Sequence, residues 1–83
     1  MDMRDLALAL TKVHEHLVRG KTDWASDEVI SLSISDYAQP GVYLALAAMR
    51  IVRDARAGKL NDTALEAVKA MAATAAWLAE HPL

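Results

Sequence analysis

Apolar residues near the start of the chain recur every three or four positions, which is the spacing of one helical stripe. The stripe consists of Met3, Leu6, Leu10, Val13 and Leu17. Gly20 follows it and suits the left-handed position at which many helices end. The pattern therefore predicts a first helix over residues 3–19. His14 falls beside the stripe and His16 points away from it, so we expect that the two imidazoles cannot share a metal ion.

The second segment permits two interpretations. Apolar and serine residues alternate strictly in the run ISLSIS, which is the pattern of a half-buried strand. However, Ser26 before two acidic residues suits the start of a helix, and Pro40 disfavours helical geometry in the residue before it. We favour a helix over 26–38, because no other segment alternates and a lone strand leaves its backbone groups unpaired. The alternative, a strand over 29–35, implies a ribbon shared between two subunits.

The most apolar stretch, PGVYLALAAMRIVRDARA, predicts a third helix over 40–57, and we expect the rest of the chain to pack around it. Pro40 suits its first turn, where the missing N–H costs no hydrogen bond. One stripe of this helix has the spacing of core residues: it contains Leu44, Ala48, Ile51, Val52 and Ala55. A second apolar strip, Val42, Leu46 and Met49, lies on another side of the helix. We therefore expect neighbouring helices to cover the first half on two sides.

A fourth helix is predicted over 63–80, before Pro82. Thr63 followed by Glu66 matches a capping box at its start. Its core side repeats apolar residues at helical spacing: these are Leu65, Val68, Met71, Ala72, Ala75 and Leu78. With short links between them, the four segments predict an all-α, antiparallel four-helix bundle.

Trp77 does not fall on the core side of the fourth helix. Helical rotation places it with Ala70 and Ala73 on the side that should face solvent. Tryptophan is among the commonest anchors of protein interfaces, and small neighbours let a partner helix approach closely. We therefore predict protein contacts at these three residues. The alternative is a different helix phase, or a covering segment that buries the indole within the monomer.

Composition limits the size of the core. The chain has 83 residues, which is one small domain, and 17 of them are alanines that bring little hydrophobic stabilisation. Assembly into a homodimer would enlarge this core, so we expect one. Cysteine is absent, the N-terminal residues do not form a signal peptide, and no apolar run is long enough to span a bilayer. These features favour a soluble, cytoplasmic protein.

Motifs for catalysis do not occur in the sequence. It contains neither a glycine-rich phosphate loop nor a G-x-S-x-G nucleophile motif, and the serine-rich run has no histidine nearby to activate it. His14 and His16 are two residues apart, whereas two ligands on one helix need a separation of three or four. We therefore expect no catalytic site, no metal and no cofactor.

Charge is segregated along the chain. Residues 22–49 contain no lysine or arginine, although four acidic residues lie there: Asp23, Asp27, Glu28 and Asp36. A basic segment follows directly, with Arg50, Arg53, Arg56 and Lys59. Ordinary solvated faces are the simplest interpretation, and a surface that attracts a charged partner is the other.

Two functional hypotheses follow from this distribution. The first is a non-enzymatic protein that binds another protein, in its most concrete form a bacterial or phage-type inhibitor such as an antitoxin, an immunity protein or an anti-CRISPR-like protein. Its contacts would combine the Trp77 residues, the second apolar strip and the acidic segment. The alternative is a nucleic-acid-binding transcriptional regulator that uses the three arginines and Lys59 against phosphates.

Overall fold

The computed structural model describes residues 2–21, 27–34 and 37–82. Within them the chain forms four α-helices and no strand. The helices are α1 (Met3–Val18), α2 (Asp27–Ile34), α3 (Gly41–Arg56) and α4 (Asp62–Glu80). The all-α, four-helix architecture is confirmed, and the predicted bounds of the first, third and fourth helices are correct to within one residue. The strand alternative is wrong, because the alternating run is helical as far as Ile34.

The second helix is shorter than predicted. It ends at Ile34, and Tyr37 and Ala38 are not helical, whereas the prediction extended the helix to 38. The Ala38 carbonyl accepts a hydrogen bond at 3.3 Å from the Val42 N–H, so this segment already serves the start of α3. Tyr37 is only 3% exposed and packs into the core from outside any helix. Ile30, Ile34 and Tyr37 follow one another at helical spacing in the sequence, so tertiary packing overrides that spacing here.

The core is organised around α1 rather than around α3. The most extensive contact in the fold joins α1 to α4, and α1 also packs against α2 and α3. Three of its side chains, Leu6, Leu10 and Val13, have no exposed surface. The end of α4 lies beside the start of α1, where Arg4 and Glu80 approach to 3.2 Å, so the two helices are antiparallel. The small side chains of α4 explain this arrangement, since they let a second helix approach closely.

Hydrogen bonds at the helix ends hold these four elements in place. The Asp2 carboxylate accepts from the Asp5 N–H at 2.9 Å and closes a capping box at the start of α1. Gly20 and Gly58 follow α1 and α3 with φ of 68° and 74°, a conformation that favours glycine. The predicted capping box of α4 is wrong by two positions. Asn61, rather than Thr63, caps this helix, and its side chain accepts from the Ala64 N–H at 2.8 Å.

Candidate functional site

Trp77 lies on the outer side of α4 and is 56% exposed. Ala70 and Ala73 are exposed beside it, so the predicted helix phase is correct and no described segment covers the indole. The His81 imidazole stacks on the indole with ring centroids 4.4 Å apart and an interplanar angle of 15°. Nδ1 of His81 lies 3.1 Å from the Trp77 carbonyl oxygen. The stack gives the indole a defined orientation while leaving more than half of the residue accessible.

A shallow groove of about 260 Å³ runs along the junction of α1 and α4. Ala7, Leu8 and Thr11 line it on α1, and Ala76 and Ala79 line it on α4. Leu8 is 62% exposed and rises at its edge. The Arg4–Glu80 ion pair closes one end, with both side chains about two-thirds exposed.

The groove and the indole belong to one continuous surface. Ala73 precedes Ala76 by three residues and Trp77 by four, so it neighbours both on the outside of α4. Two large apolar side chains, Leu8 and Trp77, therefore flank a floor of alanines. We call Leu8, Ala70, Ala73, Ala76 and Trp77 the Trp77 surface. Sequence reasoning missed Leu8, although its position two residues from both Leu6 and Leu10 excludes it from the stripe of α1.

The second apolar strip of α3 is not covered as predicted. Leu46 is 62% exposed, and only Val42 and Met49 are half-buried. The buried side of α3 consists of Gly41, Ala45, Ala48 and Val52. It is thus rotated from the predicted stripe, with Met3 and Leu6 of α1 lying close to Gly41. Tyr43, 61% exposed, lies one turn before Leu46, with its hydroxyl 3.1 Å from the Gln39 amide nitrogen.

The basic residues that follow on α3 all face solvent. Arg50, Arg53, Arg56 and Lys59 are exposed, and none of them forms an ion pair within the described part of the chain. Arg53 and Arg56 occupy the last turn of the helix, where positive charge offsets the helix dipole. Arg50 lies nearer the middle of the helix, so the dipole does not account for it.

The predicted acidic contacts fall mostly where the structure gives no side-chain description. Asp23 and Asp36 lie outside the described residues, and Asp27 begins α2 but its side chain is outside them as well. Glu28 packs towards α1, with its Oε2 3.9 Å from the His16 Nε2. The sequence places His16 away from the apolar stripe of α1, but this side chain does not face solvent. It is only 23% exposed, because α2 covers α1 on a second side.

A larger cleft of about 410 Å³ lies at the end of the bundle where α1 starts and α4 finishes. Its charged residues, Asp2 and Arg4, are already engaged, in the cap of α1 and with Glu80 respectively. The Asp5 N–H stabilises the Asp2 carboxylate and lowers the pKa of that group. The cleft therefore offers an apolar hollow but no free charged group to orient a ligand.

Two further observations concern metal binding and membrane insertion. Among the described residues, no three histidine, aspartate or glutamate side chains come together as metal ligands would. No described helix has both the length and the apolar character needed to cross a membrane.

Neither the family models, the curated proteins nor the solved structures compared with this chain gave a match. The surfaces themselves thus carry the functional inference.

Proposed function

We propose that this chain acts by binding another protein, without catalysing a reaction, and that the Trp77 surface is its main contact. The observation that carries the proposal is the exposed, oriented indole beside a floor of alanines. Tryptophan is strongly enriched among the residues that dominate binding energy, particularly where surrounding contacts exclude water. Contiguous exposed apolar patches often mark the sites at which a protein binds another protein.

The size of the expected effect follows from the area involved. A tryptophan side chain presents roughly 250 Å² at most, so the accessible part of Trp77 amounts to roughly 140 Å². At about 25 cal/mol per Å², covering it would contribute about 3 kcal/mol to binding. Leu8 would add about 1 to 2 kcal/mol by the same reasoning. Two side chains of this kind suffice to anchor a small interface, because a few residues usually supply most of the affinity.

The concrete form of the proposal is a bacterial or phage-type inhibitor that occupies a surface of its target. The charge distribution supports this form, since the segment over residues 22–36 carries four acidic residues and no basic one. Such a segment complements a basic surface, as found on proteins that bind nucleic acid, and would speed association. A homodimer formed through the Trp77 surface is the other form of the proposal, because a second copy would bury the indole equally well and would compete with a different partner for it.

The test is capture of binding partners from the native lysate by immobilised wild-type protein and by a Trp77→Ala variant. Val18→Ala is the control, since Val18 is a similarly exposed apolar residue that lies near the end of α1, outside the Trp77 surface. We expect specific partners to bind the wild type and the Val18 variant and to be lost with Trp77→Ala. Equal recovery by all three proteins would reject the Trp77 surface as the contact.

Self-association requires a separate measurement. Sedimentation equilibrium of the wild type should show a dimer that dissociates in the Trp77→Ala variant. Because each subunit of the dimer loses one indole, the dissociation constant should rise by at least about a hundredfold, the factor that corresponds to about 3 kcal/mol for a single indole. The measurement uses tens of micromolar protein, which detects dissociation constants of about 10⁻⁵ M. If the wild type is a monomer at these concentrations, the homodimer is removed from the proposal.

A further inference from the structure

The outer side of α3 carries a second exposed stripe that the Trp77 surface does not include. Tyr43, Leu46, Arg50 and Arg53 follow one another at intervals of three and four residues, and all four are exposed. We call these residues the α3 stripe. We propose that the α3 stripe is a docking surface for an acidic helical segment of another protein, one with apolar residues at one end and carboxylates at the other.

The geometry of the stripe suits a helix as the occupant. Its spacing is that of the a and d positions of a heptad, along which two helices pack side by side. From Tyr43 to Arg53 the stripe extends about 15 Å, at 1.5 Å per residue. The hydrogen bond between Gln39 and the Tyr43 hydroxyl restrains the tyrosine at one end. A partner helix of three to four turns would therefore cover the whole stripe.

Charge complementarity identifies the chemistry of that helix. Neither Arg50 nor Arg53 has an ion-pair partner within the described part of the chain, and Arg56 and Lys59 add two more unpaired cations just beyond. Dipole compensation accounts for positive charge in the last turn. It does not account for Arg50, nor for the exposed apolar residues one and two turns earlier. Carboxylates on a partner would pair with the arginines, and arginine favours such bidentate pairing.

The order of residues along the helix favours a protein partner over a lipid surface. A helix that lies in a membrane interface keeps its apolar residues along one side for its full length, with basic residues on the flanks. In the α3 stripe, the arginines continue the same line as Leu46. Inserting that line into the apolar layer would therefore carry two guanidinium groups with it.

The same order also disfavours nucleic acid as the occupant. Phosphates would pair with the arginines, but they offer nothing to Leu46, which makes up the apolar half of the stripe with Tyr43. A helix with both apolar and acidic residues satisfies both halves at once.

The experiment measures binding of a synthetic helical peptide of about 14 residues, which is two heptads. At the positions that would contact the α3 stripe, the first heptad carries leucines and the second carries glutamates. A peptide of the same composition with the two kinds of residue intermixed is the control for the occupant. We expect the segregated peptide to bind at least tenfold more tightly than the intermixed one. Raising the salt from about 0.1 M to about 1 M shortens the Debye length from about 10 Å to about 3 Å and should weaken this binding severalfold.

Variants of the protein locate the site. Arg50→Glu should weaken binding of the segregated peptide about tenfold, and Leu46→Ala severalfold. Lys69→Glu makes the same change of charge at an exposed position of α4 and should have little effect. Trp77→Ala should also leave peptide binding unchanged, which separates this proposal from the function assigned to the Trp77 surface.

Three outcomes would overturn the α3 proposal. One is equal binding of the segregated and intermixed peptides, or no binding of either. Another is a loss with Lys69→Glu as large as that with Arg50→Glu. The third is tighter binding, sensitive to Arg50→Glu, of a short DNA duplex or of vesicles made from anionic phospholipid, which would identify nucleic acid or membrane as the occupant instead.

Discussion

Adding a single methyl group at Gly41 should destabilise the fold, although Gly41 lies in a helix where alanine is normally preferred. A Cβ built at this position meets the Met3 sulfur at 2.9 Å, the Tyr37 Cβ at 3.2 Å and the Leu6 Cδ2 at 3.4 Å. The first contact is shorter than atoms tolerate, and the second is tight. Three elements of the fold converge on this one point, so the contacts cannot all relax together.

The magnitude is a balance between two opposing terms. Replacing glycine by alanine within a helix gains up to about 1 kcal/mol, and less in the first turn. Overpacking a core position costs about 1 to 3 kcal/mol. Met3 is half-buried and flexible, but Tyr37 is 3% exposed and Leu6 has no exposed surface, so neither can move away without disturbing the core. We expect a net loss of about 1 kcal/mol from the Gly41→Ala substitution.

Urea denaturation of wild type and Gly41→Ala measures this loss. At equal m-value the midpoint should fall, and thermal unfolding should move down by about 4 to 8 °C for a domain of this size. Combining Gly41→Ala with Met3→Ala removes the shortest contact. The double variant should therefore lose less free energy of unfolding than the two single variants together, by at least about 0.5 kcal/mol. A Gly41→Ala protein as stable as the wild type, or strict additivity with Met3→Ala, would refute the packing described at this point.

Three further predictions concern stability. The Tyr37 hydroxyl is buried without a hydrogen-bond partner in the described part of the chain. Tyr37→Phe should therefore raise the free energy of unfolding by up to about 1 kcal/mol, and a decrease of that size would show that the hydroxyl does have a partner. Asn61→Ala should cost about 1 kcal/mol by removing the cap of α4, whereas Asn61→Asp should retain most of the stability in the same urea titration. The hydrogen bond from the Asp5 N–H lowers the pKa of Asp2 in the folded state, so its stabilising effect is complete above about pH 4 and is lost as the pH falls below that. Acid titrations should therefore show a smaller loss of stability for Asp2→Asn than for wild type, and identical curves would exclude this contribution.

Periodicity alone was sufficient to predict α1, α3 and α4. Each has a long apolar repeat, and Gly20 and Gly58 mark the ends of the first two. The second helix was extended too far because its spacing continues through Tyr37. Nothing in the local sequence shows that the Ala38 carbonyl will be taken up by the start of α3. That information belongs to the junction between two elements, which depends on how they pack.

The exposure of individual side chains could be predicted only in part, because it also depends on how the helices pack. The exposure of Trp77 follows from its angle relative to the α4 stripe, so sequence reasoning identified it. Leu46 was expected to be covered, because the sequence does not show which side of an almost wholly apolar helix its neighbours will occupy. They occupy the side with glycine and alanine, where backbones approach most closely, and this leaves Leu46 in line with Arg50 and Arg53.

The most direct test of the Trp77 surface is photo-crosslinking in the native cell. A benzoylphenylalanine placed at Thr74, which is exposed three residues before Trp77, leaves the indole and its alanines intact. The same group at Thr63, an exposed residue at the opposite end of α4, is the control. We expect a discrete protein adduct from Thr74 that disappears when Trp77→Ala is added, and none from Thr63. The same adducts from Thr74 and from the control position would contradict a protein contact at the Trp77 surface. So would an adduct from Thr74 that survives Trp77→Ala.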